Sequence, residues 1–259
     1  MKKLGAIAIL THWRTGSTLL RDVLMACGMH DYGDEIGFEH GDINGIGNGL
    51  CQGIPNDDAG ETVANALKYF EKMAESKEWK HYGIKVDHAL QSACWEDVGK
   101  QFELAWPAAR YVTSIRHPAG IIRSIEKLRK TVKLDPDFTV REILESWLST
   151  YEATKYLVDK KEAQVVVYPD SHRDGSIKKV VGALGLKWTN AASELFDSST
   201  LDDSDEGMEE TEDYLKAVEM FEEIKKYAVT PETSEIPEKK ERDRPFNRPS
   251  TKSKNRWDT

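Results

Sequence analysis

The feature that most constrains the fold is the run Leu4-Gly5-Ala6-Ile7-Ala8-Ile9-Leu10, which holds no polar residue and shows no alternation. A strand with one wet face alternates; a continuous apolar run belongs to a strand buried on both faces, as in a parallel sheet covered by helices. Behind Met1-Lys2-Lys3 the same run imitates the basic and hydrophobic regions of a signal peptide. Its seven residues lie at the lower edge of such a region, and His12-Trp13-Arg14 stands where a small-residue cleavage site belongs. We therefore read it as a strand. No other run approaches the ~20 apolar residues of a membrane span, so the expectation is a chain with no transmembrane segment and a cytoplasmic location. After the loop at Gly16-Ser17, Thr18 to Cys27 repeats apolar residues at helical spacing until Gly28 supplies a stop.

The rest of the chain alternates in the same way. Residues 31–60 have little periodicity and many glycines, which predicts a long loop. Val63, Leu67, Phe70 and Met73 give a helix over 61–79, and His81 to Asp87 a strand. A helix is expected over about 90–103 and a strand over Arg110–Ile115. Pro118 suits the first turn of a helix running to about Val132. Val140, Ile143, Leu144, Trp147, Leu148 and Tyr151 form the core stripe of a helix over 139–160. Gln164–Tyr168 is a strand, 176–184 a helix ended by Gly185, and 209–227 a helix with a solvated acidic face. Alternating strands and helices predict an α/β fold in three layers, α/β/α, around a mostly parallel sheet. Ligands of such sheets sit beyond the carboxyl ends of the strands, here the loops near His12, Asp87, Arg116 and Pro169.

Composition bounds the function. Of 259 residues, 36 are Lys or Arg and 45 Asp or Glu, a formal charge of −9. That balance argues against a protein that coats a nucleic acid polymer, because coating needs a broad positive field to displace counterions. The three cysteines, Cys27, Cys51 and Cys94, show no CxxC spacing and fit a reducing compartment. Beyond about residue 230 the chain turns rich in Pro, Ser and basic residues, which divides it into a domain over 1–230 and a basic loop or tail over 231–259.

Two segments look built for anions. Thr11-His12-Trp13-Arg14-Thr15-Gly16-Ser17-Thr18 lies between the first strand and a helix, so backbone N–H groups and the positive end of the helix dipole converge there. Ser17 and Thr18 add hydroxyls and Arg14 a forked cation. A nucleoside triphosphatase loop would read GxxxxGK[ST]; here the cation precedes the glycine. The second segment is Arg116 at a strand end with Ser124 eight residues on. At ~1.5 Å rise per residue the serine is about two turns along the next helix, within reach of an anion held by the arginine.

Arg14-Thr15-Gly16-Ser17-Thr18 resembles the 5′-phosphosulfate loop of the sulfotransferase family, and Arg116 with Ser124 resembles its 3′-phosphate motif. Val165-Val166-Val167-Tyr168-Pro169-Asp170 through Leu184-Gly185-Leu186 is similar to a third stretch. The resemblance spans roughly 4–188 in order. It implies the nucleotide-kinase-like sulfotransferase fold of the P-loop type, with 3′-phosphoadenosine-5′-phosphosulfate (PAPS) as co-substrate held by Arg14, Thr15, Gly16, Ser17, Thr18, Arg116 and Ser124. It also implies a basic C-terminal loop closing the nucleotide site, a place that Arg248 fits.

The implied reaction is transfer of a sulfuryl group to a hydroxyl on a small molecule, more specifically a carbohydrate or glycolipid, with Arg14 meeting charge on the bridging oxygen. The transferred group carries less negative charge than a phosphoryl, so no metal is expected, in keeping with the lack of HxH or HExxH spacing. Two candidates compete for the base. Glu35, 21 residues after Arg14, stands where trehalose-type sulfotransferases carry a basic glutamate, and Glu39 is an equal occupant. His88 ends Lys85-Val86-Asp87-His88, similar to the Lys-Thr-His of cytosolic small-molecule sulfotransferases but one residue longer, so Asp87 is a substitute. A kinase with an atypical phosphate loop and a non-catalytic nucleotide-binding relative are the rival readings.

Overall fold

The computed structural model describes residues 5–31, 57–88, 106–131, 139–196 and 208–229. The glycine-rich loop beyond Asp31, the helix expected over 90–103, Glu35, Glu39, Arg248 and the basic segment 231–259 lie outside them.

The apolar run is β1, Gly5–His12, and it pairs on both sides in parallel, with β3 (His81–His88) and β4 (Arg110–Arg116). β2 (His30–Asp31) joins the outer side of β3, and β5 (Gln164–Tyr168) that of β4, giving the order β2-β3-β1-β4-β5, all parallel. β2 is not expected from the sequence, and its Asp31 falls in the segment read as loop, because two residues are too few to carry a period.

Side chains of β1 divide between two cores, as a doubly buried strand requires. Ala6, Ala8 and Leu10 face one core with α2 (Asp57–Ser76), α3 (Pro118–Thr131), α4 (Val140–Lys161) and α8 (Glu212–Lys225). Ile7 and Ile9 face the other, with α1 (Ser17–Ala26), α6 (Ile177–Ala183) and α7 (Asn190–Ser193). α5, Asp170–Arg173, is a single turn after β5. No helix among the described residues is long and apolar enough to cross a membrane.

Local chemistry sets the helix ends. α4 opens on a capping box, Thr139 with Glu142, which contributes about 1 kcal/mol. α1 closes where Gly28, at φ 100°, lets its N–H reach Met25 O and that of Met29 reach Leu24 O. Ile143, Leu144, Trp147, Leu148 and Tyr151 are buried as the stripe predicts, but Val140 is 43% exposed, since it lies in the first turn, ahead of the part of α4 that meets the sheet. The acidic helix α8 also buries Tyr214, Ala217, Phe221 and Ile224, so its carboxylates occupy only its outer face.

Strand order opens a crevice at one edge of the sheet. β1 leads into α1 on one face of the sheet, whereas the neighbouring β4 leads into α3 on the other. Where adjacent strands send their chains to opposite faces, the sheet leaves an opening beyond their carboxyl ends. The two predicted anion segments are the two loops that flank it.

Candidate anion site at the carboxyl edge of the sheet

The strand runs two residues beyond the sequence expectation, through Thr11 and His12, and the loop is accordingly tight. Arg14 and Gly16 both have positive φ, 65° and 83°. Alternating left-handed residues fold a short loop into a concave nest of N–H groups. Its carbonyl oxygens are turned into the protein and engaged one by one. Thr15 Oγ1 donates to His12 O at 2.7 Å, His12 Nδ1 to Trp13 O at 2.8 Å and Arg116 Nη1 to Arg14 O at 3.4 Å. Ser114 Oγ donates to Thr15 O at 2.5 Å, and Leu20 N to Gly16 O at 3.0 Å. With the acceptors facing inward, the loop offers donors and the N-terminus of α1 to an anion. Thr15 and Ser17 are buried and Thr18 is exposed at the first turn of α1.

The second segment meets the first. Arg116 is 7% exposed, and its backbone N–H donates to Tyr151 Oη at 2.9 Å while that hydroxyl donates to Arg116 O at 3.4 Å. Burial holds the Tyr151 phenol well above its usual range, so it remains an intact hydroxyl able to serve both bonds. Arg14 turns its Nε onto Ser124 Oγ at 2.9 Å. Arg14, Arg116 and Ser124, more than a hundred residues apart at the extremes, thus form one connected unit. The sequence places Arg14 over its own loop; in the structure its side chain reaches α3 through the bond to Ser124.

Sequence reasoning missed several parts. Lys85, which the sequence offers only through its likeness to Lys-Thr-His and without a role at the loop, donates from Nζ to Thr18 Oγ1 at 3.3 Å and brings a third cation there. Ser114 and Tyr151 gave no signal, since a strand serine and a stripe tyrosine look like core. His88 ends β3 in register with His12, on the same rim; its side chain lies outside the described residues. His12 itself is buried, and Ser146 Oγ donates to its Nε2 at 3.3 Å, which makes it a structural residue of the β1–α4 contact. Trp79, Trp106 and Trp147 are core residues, and Trp13 packs partly against the same core.

Behind Tyr168 lies His172, stacked on Phe196 at 5.2 Å. Burial pushes its imidazole down to about 4 from an ordinary 6.5. The folded chain therefore holds His172 neutral while the unfolded chain takes up a proton, so stability falls as pH drops from about 6.5 toward about 4, by at most about 3 kcal/mol. A melting series from pH 7 to 4.5 should show a shallower decline for His172→Phe than for the native chain; equal slopes would remove His172 as a cause.

Solved structures share this architecture. A sulfotransferase domain from the Synechococcus PCC 7002 olefin synthase superposes with a TM-score of 0.56 at 18% identity, covering 86% of this chain and 96% of that domain. A sulfotransferase domain from the curacin biosynthetic pathway gives 0.51 at 14% identity, covering 90% and 94%. No protein-family model and no curated protein matches the chain. Five parallel strands between helical layers, a tight strand-to-helix loop after β1 and this structural likeness together give the chain the fold of the sulfotransferase domains.

Proposed function

We propose that this chain transfers a sulfuryl group from PAPS to a hydroxyl acceptor. The observation that carries the reading is the connected unit of Arg14, Arg116 and Ser124 beside the loop after β1. A nucleoside triphosphate has its charge in one chain at the 5′ end. A donor with anions at both 5′ and 3′ positions needs two cationic sockets at the ends of one nucleoside, and a loop at a helix N-terminus flanked by a strand-end arginine answers that need.

The donor, when bound, supplies an activated sulfuryl group on a bridging oxygen. Thr15, Gly16, Ser17 and Thr18 hold the 5′ side with backbone N–H groups and hydroxyls, and Lys85 brings a cation to the same turn. Arg116 and Ser124 hold the 3′-phosphate. Taking over Ser124 with an anion releases the Arg14 guanidinium, which then meets negative charge growing on the leaving oxygen; donors already in place need no reorganisation at that moment. For the base we rank Glu35 first, on the likeness of its spacing, and His88 second, on the position of its backbone at the β3 end.

For the acceptor we propose a carbohydrate or glycolipid hydroxyl, supported by the sequence Arg14 to Leu20. The burial of Trp79, Trp106 and Trp147 withdraws three of the aromatic side chains that would suit a sugar. The test has two stages. Adenosine 3′,5′-bisphosphate should raise the melting temperature, and labelled PAPS should pass its label to one class in a panel of sugars, glycolipids, long-chain alcohols and phenols. Stabilisation by ATP with magnesium and none by the bisphosphate would make the protein a kinase. Tight bisphosphate binding without transfer to any acceptor would make it a binding module.

A further inference from the structure

Tyr168 ends β5 in register with Arg116, and its ring touches both halves of the site. The Arg116 guanidinium carbon lies 5.2 Å from the ring centroid, within the range of a cation–π contact. On the other side, a Cβ added to Gly16 would stand 2.6 Å from Cγ and 2.9 Å from Cε2 of the same ring. The loop backbone is therefore seated on the ring with no room for a side chain. His172 braces the ring edge-on at 5.9 Å and is itself stacked on Phe196. One rigid aromatic group thus fixes how far the loop stands from the buried cation.

We propose that Tyr168 is a positioning residue that sets the spacing of the two anion sockets and so selects ligands charged at both the 5′ and 3′ positions over ligands charged at one. This rests on the donor reading above. Two anions on one nucleoside gain from two sockets only when the sockets are held at the matching distance; the second contact then forms within the complex, without a second loss of freedom. Without the ring, each socket keeps its own donors: the loop its N–H groups, Arg116 its fork. What is lost is the fixed distance between them.

The experiment measures the affinities of adenosine 3′,5′-bisphosphate and adenosine 5′-phosphate by titration calorimetry. The chains are the native one, Tyr168→Phe and Tyr168→Leu, with Tyr168→His, a smaller ring, serving if the leucine variant fails to fold. The native chain should prefer the bisphosphate, and Tyr168→Phe should keep the preference ratio. Tyr168→Leu should lower the ratio about tenfold, the equilibrium equivalent of a partly desolvated cation–π contact, with the monophosphate affinity changed little. An unchanged ratio in Tyr168→Leu overturns the spacing role, and so does a phenylalanine variant that loses as much as leucine, which would assign the effect to the hydroxyl. A native chain with no preference for the bisphosphate overturns the donor reading and this role together, so the two failures are told apart by the native measurement.

Discussion

Arg116→Ala is expected to abolish most of the melting shift that adenosine 3′,5′-bisphosphate produces. Arg116 is almost wholly buried at a strand end, its guanidinium supports the Arg14 carbonyl, and the proposed donor reading gives it the 3′-phosphate to hold. Removing one partner of a buried charged pair costs about 2–5 kcal/mol. Ligand at ~100 times its dissociation constant stabilises a protein by about 2.7 kcal/mol, and a hundredfold loss of affinity would leave about 0.4. The bare chain should remain folded, because the hydrogen bond to Tyr151 comes from the Arg116 backbone. Arg116→Lys should recover only part of the shift, since a point charge cannot reproduce the fork. A full shift in the alanine variant would remove Arg116 from the site.

Arg14→Ala should lower turnover at saturating donor by about a hundredfold, the usual effect of deleting one donor aimed at transition-state charge. Binding should weaken as well, but by less, because the best contact of this guanidinium forms only as the bridging bond breaks. The Arg14–Ser124 hydrogen bond supplies the control. If Arg14 served only to hold Ser124, then Arg14→Ala, Ser124→Ala and the double variant would all show the same loss. The proposed chemistry instead expects Ser124→Ala to weaken donor binding while leaving kcat close to native. An Arg14→Ala enzyme with native kcat would end the catalytic assignment.

Much of the fold was legible in the chain because its signals are local. A strand buried on two faces needs an unbroken apolar run, so Leu4 to Leu10 announced the sheet centre, and the alternation of Ile7 and Ile9 with Ala6, Ala8 and Leu10 between the two cores follows from that. Gly28, Pro118 and Gly185 marked helix boundaries through backbone preferences that act within a few residues. The edge strand His30–Asp31 was not legible, being too short to show a period. Val140 was misplaced for a related reason: periodicity assigns a helix face, but not how far along the helix its neighbours extend.

The sequence by itself determined that an arginine precedes a glycine at a strand-to-helix turn, and that a second arginine ends another strand eight residues before a serine. Only the tertiary structure decided that these belong together. The order β2-β3-β1-β4-β5 sets β1 beside β4 and β5 beyond it. That order brings Arg14 to Ser124, Arg116 to Arg14 and the Tyr168 ring against both Arg116 and Gly16. Strand order is fixed by which pairing buries the most apolar surface across the whole sheet. That sum runs over the entire chain, so no window around residue 14, 116 or 168 contains it.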